Sequence, residues 1–289
     1  MKNVIFYFFS FLVAMYGCNP KDTEKPDDEI LAKDTTKYTC TKMLPVSDTT
    51  FQISEHDVSV KLCTPDEKKG TFLLLHGWNF PADDWCTKTK LCSHAIEDGY
   101  CVVMPHMGKS NFHTNIYPET RPDYSVFPGL LWLTETVIPE LQKMCLLVDG
   151  ERNFIVGLST GGRGVAMVCQ QMPWLFTGAA ALSGDFDQSA IPNDRVHQGF
   201  WGPYNQFPER WTTIENPVFR ISEMQTPIYL GHGLSDKVTP YSQSQLFYDS
   251  LKKHNPSLKT ELHLPEAGHD YEYWASEVDN IMRFFRGIE

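Results

Sequence analysis

The stretch of sequence that decides the fold runs Asn153-Phe154-Ile155-Val156-Gly157-Leu158-Ser159-Thr160-Gly161-Gly162. Its first half is an apolar run typical of a buried strand, and residues 161–172 that follow have a helical pattern. A serine on a sharp strand-to-helix turn leaves no space for side chains two positions to either side, which explains the two glycines that flank Ser159. The turn lifts the hydroxyl of Ser159 clear of the sheet, at a helix N-terminus whose dipole favours developing negative charge. This context predicts Ser159 as a nucleophile.

Outward from this stretch, the chain alternates between strands and helices. The apolar runs and the alternating patterns predict strands at residues 56–63, 71–75, 100–104, 153–157, 178–182, 226–230 and 258–264. Helices are predicted from Asp83 to Gly99 and at residues 129–145, 161–172, 240–254 and 271–287, with Pro139 as a kink; residues 106–128 and 185–216 have no clear periodicity. Strands separated by helices imply parallel crossovers. The predicted fold is therefore a three-layer α/β domain with a mostly parallel sheet.

A serine hydroxyl is a weak nucleophile, so the hypothesis requires a base and an acid. Asp236 follows the strand predicted at residues 226–230 and is the predicted acid, which would hold a histidine in the right tautomer. Asp185 and Asp187, after the preceding strand, are alternatives. A turn or helix-cap role is another interpretation of Asp236.

The predicted base is His269, in the loop between the last strand and the last helix. Gly268 before it allows the backbone to bend the imidazole towards Ser159. The chain has ten histidines, so position in the strand-helix pattern decides the choice. His232 is the alternative, although its place between two glycines at a strand end favours a structural role.

The tetrahedral intermediate of acyl transfer needs N–H donors for its oxyanion. One is predicted to be the backbone N–H of Thr160, directly after the nucleophile. The second is predicted from the loop Leu75-His76-Gly77-Trp78-Asn79, where Gly77 permits a tight turn and Trp78 supplies the N–H. His76 is predicted to brace this loop.

The segment from Gly199 to Trp211 is dense in aromatic residues. Trp201 and Trp211 are candidates for stacking on a sugar or aryl group of a substrate. The alternative interpretation is a long loop anchored by its own aromatic side chains. Arg163, just after the nucleophile, would either meet an anionic substrate or brace the start of the helix.

The N-terminus predicts export. Lys2 and the apolar run Val4 to Met15 have the anatomy of a signal peptide, and Gly17-Cys18 resembles a bacterial lipobox, which would make Cys18 the lipidated residue. Residues 1–18 are thus predicted as the signal peptide, 19–50 as a flexible polar tether, and 51–289 as the catalytic domain. The predicted location is the outer membrane or cell surface; an ordinary secretory signal, giving a periplasmic or secreted protein, is the alternative.

Eight cysteines occur in the chain, seven of them beyond Cys18. An exported protein can oxidise some of these, and an odd number leaves at least one free or paired outside the chain. The pairs Cys40 with Cys63 and Cys86 with Cys92 are the disulfide candidates. Three others lie in apolar runs and are expected to be small buried hydrophobic residues, namely Cys101, Cys145 and Cys169.

Composition limits the classes of function. The chain has 289 residues, 42% of them hydrophobic, and a formal net charge of −11. The acidic charge disfavours nucleic-acid binding, because phosphate backbones attract basic surfaces. No cysteine or histidine cluster has zinc-site spacing, so no metal is expected.

These motifs together resemble the α/β-hydrolase superfamily, and within it the esterase D group, over roughly residues 55 to 287. The residues that carry the resemblance are His76-Gly77-Trp78, Gly157-Leu158-Ser159-Thr160-Gly161-Gly162, Leu182-Ser183-Gly184, His232-Gly233-x-x-Asp236 and Gly268-His269-Asp270-x-x-x-Trp274. The resemblance implies carboxylic-ester hydrolysis without a cofactor. The expected function is an exported serine carboxylesterase that forms an acyl-enzyme from small or carbohydrate-linked acetyl or aryl esters. A serine peptidase of the same fold and a non-catalytic glycan-binding lipoprotein are the alternatives.

Overall fold

A single sheet organises the residues that the structure describes. The structure is a computed structural model that describes residues 49–53, 56–61, 68–124 and 127–288. The predicted signal peptide and nearly all of the predicted tether lie outside these residues. Within the described residues, no helix has both the length and the apolar character needed to cross a membrane.

Eight strands in the described residues build the sheet in the order β1-β2-β4-β3-β5-β6-β7-β8. Strands β1 and β2 pair antiparallel, as do β2 and β4, and the six strands from β4 to β8 in this order run parallel. The strands are β1 (Thr49–Ile53), β2 (His56–Lys61), β3 (Thr71–Leu75), β4 (Cys101–Pro105), β5 (Phe154–Leu158), β6 (Gly178–Leu182), β7 (Ile228–Gly231) and β8 (Thr260–His263). The predicted mostly parallel α/β fold is confirmed.

The predicted crossovers between strands contain helices. The helices are α1 (Asp84–Lys88), α2 (Leu91–Glu97), α3 (Gly129–Leu131), α4 (Ile138–Lys143), α5 (Thr160–Gln171), α6 (Arg195–Trp201), α7 (Pro208–Trp211), α8 (Ser242–His254), α9 (Tyr271–Ser276) and α10 (Val278–Arg286). Two of these, the short helices α6 and α7, lie in the segment that was predicted to be irregular.

Alternating residues of the central strands supply two separate apolar cores. In β3, Leu73 and Leu75 face a core that includes Val165 of α5 and Phe247 of α8. Phe72 of the same strand faces the opposite core, with side chains of α1, α2 and α10. Because side chains alternate across a strand, burial on both faces requires a continuous apolar run, as β3 and β5 have. The result is the predicted three-layer architecture.

The structure differs from the sequence prediction in several places. Strand β1 was not predicted, and it begins where the polar tether was expected to end. The helix predicted at residues 129–145 contains a π-helical turn, Trp132–Val137, between α3 and α4. Pro139 is the second residue after this turn. A proline has no N–H to donate and its ring crowds the preceding turn, and a widened turn relieves both problems. The last predicted helix is divided into α9 and α10.

The cysteines also depart from expectation. The predicted disulfide between Cys86 and Cys92 is confirmed. Cys101 is buried, as expected, but both Cys101 and Cys145 are disulfide-bonded, which the expectation of small buried hydrophobic residues did not include. Cys169 is the free cysteine of the described residues, and burial raises the pKa of its thiol to about 12. The proposed pair Cys40 and Cys63 lies outside the described residues.

Candidate active site

The nucleophile turn joins β5 to α5 with Ser159 at its apex. Ser159 has a φ of 55°, in the left-handed region, and its side chain is partly exposed. A Cβ on Gly157 would lie 2.2 Å from the carbonyl oxygen of Gly161, and a Cβ on Gly161 would lie 2.5 Å from the carbonyl oxygen of Leu75. Both distances are far below van der Waals contact. The two glycines are therefore required by close backbone approach, as the sequence pattern predicted.

Three residues from separate loops meet at this turn. His269 Nε2 lies 3.0 Å from Ser159 Oγ, and His269 Nδ1 lies 2.6 Å from Asp236 Oδ2. Because a carboxylate only accepts hydrogen bonds, Nδ1 carries the proton and Nε2 is free to accept the proton of the serine hydroxyl. The structure thus brings together the predicted nucleophile, base and acid in the geometry that activates a serine.

Asp236 is held in its ionised form. Its Oδ1 accepts the N–H of Val238 at 2.8 Å and that of Thr239 at 2.9 Å, and His232 Nε2 lies 3.3 Å from Oδ2. Burial by itself raises the pKa of this carboxyl, but the hydrogen bonds from His232 and His269 outweigh burial and hold the pKa well below its ordinary value. A permanently charged Asp236 can stabilise the imidazolium that forms when His269 takes a proton.

The alternative acids of the sequence analysis are engaged elsewhere. Asp187 Oδ1 accepts the N–H of Ser189 at 3.0 Å at the start of a short 3-10 turn. Asp185 Oδ2 contacts His197 Nε2 in the interior. His269 Nδ1 is instead hydrogen-bonded to Asp236 Oδ2.

The two other histidines of the motifs brace loops. His232 Nδ1 lies 2.8 Å from Ser244 Oγ, and its Nε2 lies 2.9 Å from the carbonyl oxygen of Thr239. His76 Nδ1 lies 2.6 Å from the carbonyl oxygen of Gly77, while its Nε2 accepts the N–H of Met107 at 2.7 Å. Burial lowers the pKa of His76 to about 4, so the ring is neutral at pH 7 and can make both bonds.

The predicted oxyanion donors lie at the ends of β3 and β5. Thr160 is the first residue of α5, where backbone N–H groups have no partner within the helix. The loop that carries Trp78 packs directly against α5, because a Cβ on Gly161 would also lie 2.6 Å from the carbonyl oxygen of His76. Within the described part of the chain, neither N–H donates to a protein acceptor. Both N–H groups therefore remain predicted donors for a substrate oxygen.

A contact that the sequence analysis did not assign supports the base. The Trp274 ring lies edge-on to the His269 ring, with centroids 5.1 Å apart, and its Nε1 donates to Ser183 Oγ at 3.1 Å. Because Trp274 is buried, its contact with the His269 ring restricts the position of the imidazole. The spacing His269-Asp270-x-x-x-Trp274 had been noted as part of the family resemblance; its physical meaning required the fold.

Arg163 does not contact substrate as one sequence hypothesis suggested. Its side chain is 0% exposed. The guanidinium donates to the carbonyl oxygens of Asn111, Phe112 and Glu215, and Nη2 lies 3.4 Å from Glu215 Oε2. Arg163 therefore ties the two long segments, 106–128 and 185–216, to the helix that begins at the nucleophile.

Trp201 and Trp211 also require correction. Both are 0% exposed, and their rings pack edge-to-face with centroids 5.3 Å apart. They anchor the segment that contains α6 and α7, so the alternative interpretation of the aromatic residues holds for these two. His197 stacks on Trp201 with centroids 5.0 Å apart.

Other aromatic side chains of this cluster reach the surface beside Trp78. Trp78 packs edge-on against Tyr124, with centroids 4.7 Å apart, and against Phe200 at 5.8 Å. Tyr117 and Tyr204 are partly buried at the edge of the same cluster. We call the partly exposed residues Trp78, Tyr117, Tyr124 and Tyr204 the aromatic wall. The wall includes Trp78 of the predicted oxyanion loop and is partly exposed to solvent.

The described residues contain no group of three or more metal-ligating side chains. The fold and the Ser159–His269–Asp236 geometry define a serine hydrolase of the α/β-hydrolase superfamily, as the motifs had suggested. Residues 135–287, more than half of the chain, match the model of the prolyl oligopeptidase family. The chain belongs to that family.

Solved structures of the same fold include both esterases and peptidases. The fluorophosphonate-binding serine hydrolase F of Staphylococcus aureus has a TM-score of 0.66 and 18% identity, covering 83% of this chain and 98% of its own. An S-formylglutathione hydrolase from Agrobacterium tumefaciens has a TM-score of 0.65 and 15% identity, covering 86% and 99%. A putative dipeptidyl aminopeptidase IV from Bacteroides ovatus has a TM-score of 0.65 and 13% identity, covering 87% of this chain and 37% of its own. No curated protein sequence matches the chain.

Proposed function

We propose that the protein is an exported serine carboxylesterase that hydrolyses small or carbohydrate-linked acetyl or aryl esters through an acyl-enzyme. The observation that carries the proposal is the continuous chain of contacts from Ser159 Oγ through His269 to Asp236. Neither a cofactor nor a metal takes part in the proposed chemistry.

The geometry supports a two-step reaction. Ser159 Oγ attacks the ester carbonyl carbon while His269 Nε2 takes the hydroxyl proton, and the oxyanion receives the N–H groups of Thr160 and Trp78. The tetrahedral intermediate collapses, the carbon–oxygen bond to the alcohol breaks, and His269 returns the proton to the departing oxygen. Water then attacks the acyl-enzyme with His269 again as base, which releases the acid and restores Ser159.

The preference for esters rests on the size of the structural relatives. The chain spans nearly the whole of the two single-unit hydrolases compared above and 37% of the putative peptidase, so most of that peptidase has no counterpart in the match. The aromatic wall beside Trp78 offers flat surfaces for an aryl or sugar group. A serine peptidase is the second candidate, favoured by the family to which residues 135–287 belong.

A paired substrate assay separates the two candidates. We expect the purified protein to hydrolyse p-nitrophenyl acetate and to leave aminoacyl p-nitroanilides intact, because the site completes ester cleavage without the additional chain that the putative peptidase has. Cleavage of the anilides with a larger kcat/KM than the ester would assign the peptidase function. Inactivity on both, with Ser159 unlabelled by a fluorophosphonate, would refute the enzyme hypothesis.

We also propose that the protein is a membrane-anchored lipoprotein facing an oxidising compartment. The N-terminal sequence up to Cys18 supports export, and the Cys86–Cys92 disulfide fits a compartment in which thiols oxidise. With lipidation at Cys18, the Cys18→Ala variant is expected to move from the membrane fraction to the soluble fraction. Fractionation followed by immunoblotting measures this, and Cys169→Ala is the matched control, because Cys169 is buried in the catalytic domain. A Cys18→Ala variant that stays with membranes would contradict the lipid anchor.

A further inference from the structure

A surface groove of about 480 Å³ lies beside the predicted oxyanion loop and has no role in the mechanism above. We call it the edge groove. Its polar lining comes from β1, β2, the loop after β3 and the residue after β4, namely Thr50, Asp57, Ser59, Asn79, Asp83 and His106. Phe80 and Pro81 add flat apolar surface.

The edge groove opens at the same edge of the sheet as the nucleophile. Strand β2 runs antiparallel to β4 with Val58 opposite Pro105, so the start of β2 lies at the carboxyl end of the parallel strands. Ser159 follows β5, three strands away from β2 and two from β4. Neighbouring strands lie about 4.8 Å apart, which places the groove about 10–14 Å from the nucleophile. A bound disaccharide or trisaccharide can span this distance.

The groove lies on the side from which the alcohol leaves. His269 Nε2 delivers the proton to the departing oxygen, so the alcohol lies towards His269. Phe80 packs against Trp274 and Tyr271, with ring centroids 6.2 and 5.7 Å apart, and Trp274 in turn contacts the His269 ring. The aromatic wall, by contrast, joins Trp78 to Tyr124 and Phe200. Asn79 and Phe80, which line the groove, directly follow Trp78, the predicted oxyanion donor.

The lining chemistry selects a neutral ligand rich in hydroxyl groups. Carboxylates accept from hydroxyls, while the amide, imidazole and hydroxyl side chains both donate and accept. In the described part of the chain, Asp57 and Asp83 form no ion pair, so their oxygens can accept from a ligand; Asp57 Oδ1 has one 3.3 Å bond from Gln52. Among the described residues, no lysine or arginine lines the groove, which disfavours phosphates and sugar acids. The mixture of donors and acceptors beside flat apolar surface suits a sugar better than an acyl chain.

Resting on the proposed esterase function, we propose that the edge groove is a subsite for the sugar portion of a neutral carbohydrate ester, on its alcohol side. The groove makes the enzyme favour esters on oligosaccharides over esters of small alcohols. The acyl group itself lies at the aromatic wall.

Kinetics on two acetyl esters test the subsite. The Asp57→Asn/Asp83→Asn double variant removes two charged acceptors and keeps side-chain size. We expect its KM for acetylated xylotriose to rise at least about tenfold with kcat retained, and its kcat/KM for p-nitrophenyl acetate to be unchanged. Asp279→Asn, on α10 with its side chain 89% exposed, is the matched control and should alter neither substrate. Equal changes on both esters, or no change on either, would overturn the subsite.

Two further measurements separate this proposal from the function on which it rests. An inactive Ser159→Ala protein should bind unsubstituted xylotriose in calorimetry and lose that binding when the two groove substitutions are added. Binding of xylotriose by the Ser159→Ala protein would support the subsite even if the wild-type protein failed to cleave p-nitrophenyl acetate. That failure would contradict only the proposed esterase function. Loss of activity towards O-acetylethanolamine, with acetylated xylotriose unaffected, would assign the groove to cations and overturn the sugar proposal.

Discussion

The Ser159→Ala variant will fold as the wild-type protein does and lose at least about 10⁴-fold in kcat on p-nitrophenyl acetate. The loss follows because Ser159 Oγ is the hydroxyl that lies within hydrogen-bond distance of His269 Nε2. Stability should be unchanged within about 1 kcal/mol, since alanine keeps a Cβ in the same left-handed backbone conformation. Steady-state kinetics and urea unfolding measure the two quantities.

A matched control shows that the effect belongs to the nucleophile. Ser235→Ala, in the loop before Asp236, removes an exposed hydroxyl that bonds Glu266 at 3.2 Å. It should leave kcat unchanged. Ester turnover by Ser159→Ala at the wild-type rate would show that the reaction does not pass through this serine.

The Arg163→Met variant will be destabilised by about 3–5 kcal/mol, because it leaves Glu215 charged and fully buried without its cationic partner. Three backbone carbonyls also lose their donors, at Asn111, Phe112 and Glu215. These carbonyls belong to the two segments that surround the aromatic wall. We therefore expect KM for aryl esters to rise in the folded fraction, with a smaller change in kcat.

An exposed ion pair of the same protein serves as the comparison for the buried pair of Arg163 and Glu215. Arg283 pairs with Glu261 at 3.0 Å with its side chain 60% exposed, so Arg283→Met should cost less than about 1 kcal/mol. Adding Glu215→Gln to Arg163→Met should recover part of the loss, which guanidinium unfolding of the single and double variants will measure. A loss in Arg163→Met no larger than in Arg283→Met would show that the buried pair does not hold the two segments.

The sequence predicted the parts of the fold that depend on local pattern. Strands β3 and β5 are continuous apolar runs, and such runs are buried on both faces wherever they occur. The order of Ser159, Asp236 and His269 along the chain predicted the three side chains that meet, because each follows a strand whose carboxyl end lies at one edge of the sheet.

What the sequence did not predict depends on distant contacts. Arg163 is buried by segments about fifty residues away on either side, and a charged residue near a nucleophile gives no local sign of that burial. Helix α6 lay within a segment interpreted as irregular, although Asp194 before it accepts the N–H groups of Val196 and His197 as an N-cap. Pro208 at the start of α7 is a second helix-start signal that the sequence prediction did not use. Short helices of this kind gain most of their stability from packing, which the local pattern does not contain.

At position 159, catalysis requires a serine, whereas the backbone conformation favours a glycine. A serine with φ of 55° and ψ of −126° carries a strain of about 1–3 kcal/mol that glycine at the same position would avoid. Selection for thermal stability alone would therefore favour glycine at this position and remove the hydroxyl oxygen on which the reaction depends. The strained conformation is stabilised by its packing against the surrounding glycines, the loop after β3 and the helix that begins at Thr160. Attempts to make the protein more robust should consequently leave the turn untouched and look to its exposed helices.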